Sequence, residues 1–193
     1  SAKFMVKNII RKSLLEQGLA LSSSFIQSSN KIIQEKFINY LDSKEIANIL
    51  LYWPYKQEVA LDLILKIIDK KSIDIFLPKV FPNKELRFNS YASDSKLIKN
   101  KYNIMESNSE KFISIDRLDL LLIPFVGVDI NGCRLGYGGG YYDRALEKIL
   151  TSSCEKEIIG MGYEYQILED VFGEIHDIKY STVFSENNIH QYR

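Results

Sequence analysis

The sequence is short of most features that would assign it quickly. It has two cysteines, Cys133 and Cys154, in 193 residues. That is too few for a disulfide framework, and neither has partners at metal-ligand spacing, which favours a reducing compartment. Neither sign of charge is in surplus, since 25 basic side chains balance 25 acidic ones. Nothing global therefore draws the chain to nucleic acid or to an anionic membrane, and any anion site must be local. No stretch approaches the ~20 apolar residues of a membrane span. The longest, residues 118–128, contains Asp119 and Pro124 and has the character of a buried strand. The N-terminal residues lack the apolar core and cleavage signal of a secretory leader. Internal repeats and low-complexity linkers are missing too. These absences leave the expectation of a soluble, cytoplasmic protein with one domain over residues 1–193. Its 46% hydrophobic and 26% charged content is ordinary for such a domain, which is long enough to bury most of its apolar surface.

What is present is a regular alternation of helix and strand signals. Residues 3–17 carry Phe4, Ile9, Ile10, Leu14 and Leu15 between basic residues, an amphipathic helix with a basic face. A second helix follows Leu21, with Ser22 or Ser23 as its cap and Phe25, Ile26, Ile32, Ile33, Phe37 and Ile38 at helical spacing. Residues 46–53 read as a buried strand ending at Pro54, and 58–70 return to helical period. Residues 72–77 form a strand stopped by Pro78, 86–91 an antiparallel strand, and 96–108 a short helix and loop. Residues 118–123 are the strongest buried-strand signal. Residues 141–150 are helical, 157–161 strand-like, and 182–184 a last short strand. The Ser/Asn/Lys clusters near 22–30 and 93–109 read as loops and caps. Strands separated by helices of this length predict an α/β fold with a mostly parallel sheet and helices on both faces.

The chemistry concentrates in one segment. A buried strand ends at Pro124, Asn131-Gly132 supplies a turn, and Gly136, Gly138, Gly139 and Gly140 lead into a helix. Ligands of open α/β sheets bind beyond the carboxyl ends of strands, where this loop should lie. Glycines let backbone amides approach an anion, and the helix N-terminus adds unpaired N–H groups. Arg134 and Arg144 could add charge-assisted bonds to phosphate oxygens. Asp143 is out of place in a purely anion-binding loop, unless Mg²⁺ stands between it and a phosphate. A glycine-rich turn that merely packs a helix close to the sheet accounts for the glycines equally well. The run is no Walker loop, having no terminal Gly-Lys-Ser/Thr. Nor is it a dinucleotide fingerprint, because Tyr141 occupies the third glycine position. The residues alone thus reach an anion site suited to phosphate. No Ser-His-Asp constellation accompanies it, and Cys133 has no base to activate it.

The string from Arg134 through Leu135, Gly136, Tyr137, Gly138, Gly139, Gly140, Tyr141, Tyr142 and Asp143 to Arg144 resembles the signature of the 5-formyltetrahydrofolate cyclo-ligase family, also called methenyltetrahydrofolate synthetases. The resemblance extends over most of the chain. Lys7 and Arg11 are similar to the family's Lys-x-x-x-Arg element, and the run from Tyr52 to Glu58 to its folate-holding segment. Residues 162–166 and the pair His176-Asp177 resemble its C-terminal pattern. The strand before the signature departs from it, with Phe125 where the family has Gly and Val128 where it has Phe. Ser181 stands where a second Asp is usual.

The resemblance implies a three-layer α/β/α, Rossmann-like fold similar to the NagB/RpiA/CoA-transferase architecture. It implies an ATP- and Mg²⁺-dependent cyclisation of 5-formyltetrahydrofolate by a monomer. Under it, ATP is bound by Lys7, Arg11, Arg134, Leu135, Gly136, Tyr137, Gly138, Gly139, Gly140, Tyr141, Tyr142 and Arg144. The folate is bound by Trp53, Glu58, Tyr137, Gly138, Gly139, Gly140 and Tyr141. Arg134, Tyr142 and Asp143 act catalytically, and Asp143 with Asp177 holds the metal. His176 is left structural. Without the resemblance, Lys7 and Arg11 share a helix face that would be solvated, and Glu58 is a favourable charge in a first helical turn. Trp53 would be core and Asp177 a loop carboxylate. A non-catalytic nucleotide or folate sensor, or an enzyme acting on a sugar phosphate or a CoA ester, remains open on the residues.

Overall fold

The structure is a computed structural model and describes residues 1–151 and 156–192, so Cys154 lies outside the described residues. In chain order the elements are α1 (Ala2–Leu19), α2 (Ser23–Asp42), β1 (Asn48–Leu50), α3 (Asp62–Ile68), β2 (Asp74–Phe81), β3 (Glu85–Tyr91), β4 (Leu97–Lys99), β5 (Met105–Ser107), β6 (Phe112–Ile113) and β7 (Leu120–Leu122). There follow β8 (Gly127–Val128), β9 (Arg134–Leu135), α4 (Tyr141–Ala145), α5 (Glu147–Thr151), β10 (Glu157–Met161), β11 (Thr182–Phe184) and β12 (Ile189–Gln191). Eight strands form the main sheet in the order β12-β11-β10-β7-β1-β2-β3-β6. Its centre, from β11 to β2, is parallel, and the outer pairs are antiparallel. The mostly parallel, three-layer expectation holds.

The apolar runs are explained by burial on both sheet faces. Ile49, Leu120 and Leu122 point into one layer with Ile33, Phe37 and Leu41 of α2 and Ile64 and Ile68 of α3. Their neighbours Leu50 and Leu121 point the other way, into a second layer with Leu146 and Ile149. This two-residue alternation leaves no polar position in β7, so the run shows no sequence period.

Several expectations are corrected. The 46–53 strand pairs only over Asn48–Leu50; Leu51 and Tyr52 are buried in the loop that leaves the sheet there. The helix expected from residue 58 starts at Asp62. Asn30 and Gln34, one turn apart on α2, accept from Ala60 N at 2.6 Å and Leu63 N at 3.0 Å and hold the approach to α3 non-helical. Pro78 does not stop β2. Phe76 O accepts from Leu51 N, and Val80 N donates to Glu106. Pro78 shares their edge, beyond the end of β1, where no ladder bond is lost. Residues 22–30 are the cap and first turns of α2, with Ser22 as N-cap. Residues 96–108 form the β4–β5 hairpin rather than a helix, because Asn103 takes a positive φ of 62° at its tip. The helix expected over 141–150 is broken at Leu146.

Candidate functional site

The site is built where β1 and β7 end. From β1 the chain enters residues 51–61, and from β7 it runs into the β8–β9 hairpin and the glycine run. The third wall is α1, whose Leu14 packs with Val126, Leu135 and Phe172. Lys7 and Arg11 lie on the same helix face as Leu14, so seating Leu14 lays both cations over the glycine run. Together these elements enclose a cavity of about 800 Å³, lined among others by Lys7, Arg11, Trp53, Glu58, Arg134, residues 135–140, Tyr141, Tyr142, Asp143 and Asp177. Of the residues that the resemblance assigns to ATP, folate, metal or catalysis, Arg144 alone does not line it. Its guanidinium instead donates to Gly139 O at 2.7 Å, bracing the run from outside.

Gly138 and Gly140 adopt φ of 102° and 68°, values that side chains strain to reach. Arg134 is buried, donates from Nε to Pro124 O at 2.7 Å, and lies 4.9 Å from the Tyr142 ring. Arg11 donates to Gly136 O at 2.6 Å. Burial, and then repulsion from Arg134, lower its pKa. Two guanidinium groups thus face one cavity at mutual cost, a field that an anion would relieve. Lys7 bonds Asp177 at 2.7 Å and Glu174 at 3.1 Å. Burial pulls its pKa down, but the two carboxylates outweigh that and raise it.

The acids divide by partner. Asp143 Oδ1 is buried with no hydrogen-bond partner. Asp177 is satisfied by Lys7 and Glu174 N. Its carboxylate, Glu174 and His176 have ligand atoms within 4.8 Å of one another, and Asp143 is not in that group. Glu58 is not in a helix; one oxygen accepts from Tyr55 N at 2.8 Å. Burial pushes its pKa up to about 7, against the opposing effects of the Tyr55 bond and the Arg134 charge. The tyrosine pair divides as well. Tyr142 packs against the second layer, with Leu50 and Leu121, while the Tyr141 hydroxyl meets that of Tyr102. Trp53 stands edge-on to Tyr91, with ring centroids 5.7 Å apart.

Sequence reasoning missed one wall. Asn100, Tyr102, Asn103, Ile104 and Glu106 line the cavity from the β4–β5 hairpin; read as a helix, that segment had no reason to reach the site. Glu174 carried no signal beyond lying two residues before His176. Ser181 donates to Ile158 O at 2.9 Å and is occupied in the sheet. Residues 162–166 act as scaffold: Gln166 accepts from Tyr163 N and donates to Val126 O.

A sequence model of the 5-formyltetrahydrofolate cyclo-ligase family matches residues 4–186. The chain belongs to that family. The 5-formyltetrahydrofolate cyclo-ligase of Mycoplasma pneumoniae is 34% identical over 164 residues, covering 84% of this chain and 88% of the relative. Among solved structures, the 5,10-methenyltetrahydrofolate synthetase of Aquifex aeolicus superposes with a TM-score of 0.83 at 26% identity, covering 97% of this chain and 93% of that one. The synthetase of Mycoplasma pneumoniae gives 0.77 at 27% identity, covering 93% and 98%. Among the described residues, no helix is long and apolar enough to cross a membrane.

Proposed function

We propose that the chain catalyses the ATP-dependent cyclisation of 5-formyltetrahydrofolate to 5,10-methenyltetrahydrofolate, with release of ADP and phosphate. The observation that carries this is the convergence of the glycine run, Lys7, Arg11, Arg134, Glu58 and Asp143, whose Oδ1 has no hydrogen-bond partner, on one cavity. All of it comes from one chain, so a monomer with a single domain suffices.

The formyl oxygen is amide-like and leaves poorly. It attacks the γ-phosphorus of ATP and ADP departs, which makes that oxygen part of a phosphate leaving group. N10 then attacks the formyl carbon and loses its proton. The carbon–oxygen bond breaks with phosphate, and the N5–C–N10 bridge remains. No enzyme nucleophile is required; the protein aligns two substrates and neutralises phosphate charge. Arg134, fixed by Pro124 O and the Tyr142 ring, is preorganised for transferring oxygens. Arg11 and Lys7 supply further cations, and the backbone N–H groups of residues 136–140 cradle phosphate.

The orphan oxygen of Asp143 suits a hard cation, and Mg²⁺ held there would neutralise phosphate charge. Asp177 would be the second carboxylate to hold it, once Lys7 had left that carboxylate for the nucleotide. Mixing protein, Mg-ATP and 5-formyltetrahydrofolate and following the near-ultraviolet absorbance of the methenyl product tests the reaction. A flat trace with intact ATP binding would favour a sensor.

Glu58 is assigned to the folate's N–H groups, since an ionised carboxyl is an acceptor only. With its pKa at about 7, folate affinity should rise with pH through neutrality and weaken about tenfold per unit below it. Stability of the ligand-free protein should run oppositely. A carboxyl raised from 4.5 to about 7 contributes most below the lower value and loses that contribution as pH climbs through the higher one. Glu58→Gln should flatten both profiles and raise the folate KM about tenfold or more. A variant altered only in ATP KM would refute the assignment.

A further inference from the structure

The β4–β5 hairpin is a built wall. Glu106, nearly buried, accepts from Val80 N at 2.7 Å and from Asn100 Nδ2 at 3.0 Å, which ties the hairpin to β2. Asn100 Oδ1 in turn accepts from Tyr102 N at 2.8 Å and Ile104 N at 3.2 Å and folds the tip. Asn89 on β3 donates to the Ser107 and Ser109 carbonyls and fixes the base. At this tip Tyr102 is 42% exposed. Its hydroxyl shares a 2.6 Å hydrogen bond with that of Tyr141, and the two rings meet edge to face with centroids 6.0 Å apart.

Tyr141 is the first residue of α4, directly after the glycine run. Its ring lies back on that run, so that a Cβ added to Gly139 would come within 2.9 Å of it. The Arg144 guanidinium stands 5.8 Å from the Tyr141 ring centroid while donating to Gly139 O. The Tyr141 ring is thus held between Tyr102, Gly139 and Arg144. A glycine run has the least conformational restraint of any backbone, and here the restraint is supplied from outside by one ring.

We propose that Tyr102 is a positioning residue for the nucleotide: through Tyr141 it keeps the glycine run in its phosphate-gripping shape. This rests on the run being the ATP phosphate site. Losing the hydroxyl would free the Tyr141 ring and return to the run the freedom that nucleotide binding must then remove.

The test compares the unaltered protein with Tyr102→Phe, Tyr141→Phe and the double variant. Mg-ADP affinity is read by calorimetry, and KM by turnover for each substrate. Tyr102→Phe should weaken ADP binding and raise the ATP KM about fivefold, the scale of one hydrogen bond, with the thermal midpoint little changed. The double variant should bind no more weakly than Tyr141→Phe alone, since both act through one contact. Wild-type ADP affinity in Tyr102→Phe, full additivity, or a loss that tracks a falling midpoint would each overturn the proposal. Nucleotide binding without turnover in the unaltered protein would sink the cyclo-ligase reading, and the calorimetry would still decide Tyr102. No ADP binding at all would sink both.

Discussion

Asp143→Ala should lose at least about a hundredfold in turnover while its thermal midpoint holds or rises; losses on this scale follow removal of one preorganised charge-stabilising group. The stability half follows from burial. Asp143 Oδ1 is buried with no partner in the ligand-free protein, and such a group costs roughly 1–3 kcal/mol. Against that stands the favourable charge of an acid in the first turn of α4, about 0.3–1 kcal/mol. The first effect is the larger, so removing the carboxylate relieves the fold. The loss in rate has a separate readout. In the unaltered protein Mg²⁺ should tighten ADP binding; in Asp143→Ala that tightening should shrink, with only Asp177 left to hold the ion. Full turnover in the variant, or an undiminished Mg²⁺ effect, would remove Asp143 from the metal role. A fall in the midpoint of several degrees would show that Oδ1 has a structural partner.

How far the sequence led depends on where each residue finds its constraint. The run from Arg134 to Arg144 is local: Gly138 and Gly140 take positive φ where the chain turns, and Asp143 and Arg144 follow within a turn of helix, so order along the chain is nearly order in space. Residues 118–123 were legible as strand because both faces are apolar. Glu58 was misplaced on a helix because the groups that delay α3 are Asn30 and Gln34, which are 28 and 24 residues earlier in the sequence. The 96–108 segment failed for a similar reason. Asn100 and Asn103 carry the turn chemistry of a hairpin, yet what fixes it is Glu106 bonding to β2 and Asn89 bonding from β3. Tertiary partners decided both cases, and with the hairpin went the wall that holds Tyr102.

Asp129 shows the same limit from the stability side. In the sequence it merely ends an apolar stretch; in the fold it is fully buried. One oxygen accepts from Asn131 N and Cys133 N, each at 2.9 Å. The other accepts from Phe172 N at 3.2 Å and Gly173 N at 2.9 Å. The carboxylate therefore joins two segments that serve the cavity. Arg134 follows directly after the first pair, and Glu174 and Asp177, which hold Lys7, follow the second. Asp129→Asn keeps the shape and has one acceptor oxygen. Whichever way the amide turns, its NH₂ faces two backbone donors, which are then buried and unsatisfied. At roughly 1–3 kcal/mol for each such group, the variant should lose about 3 kcal/mol or more. That is a fall of about 6–12 °C in thermal midpoint for a chain of this length. At temperatures where it is still folded, the ATP KM should rise, because Arg134 and Lys7 are anchored through the same carboxylate. A midpoint within about 2 °C of the unaltered protein, less than 1 kcal/mol predicts, would show that the turn holds without it. The positions of Arg134 and Lys7 would then have to be set by Pro124 O and the α1 packing alone.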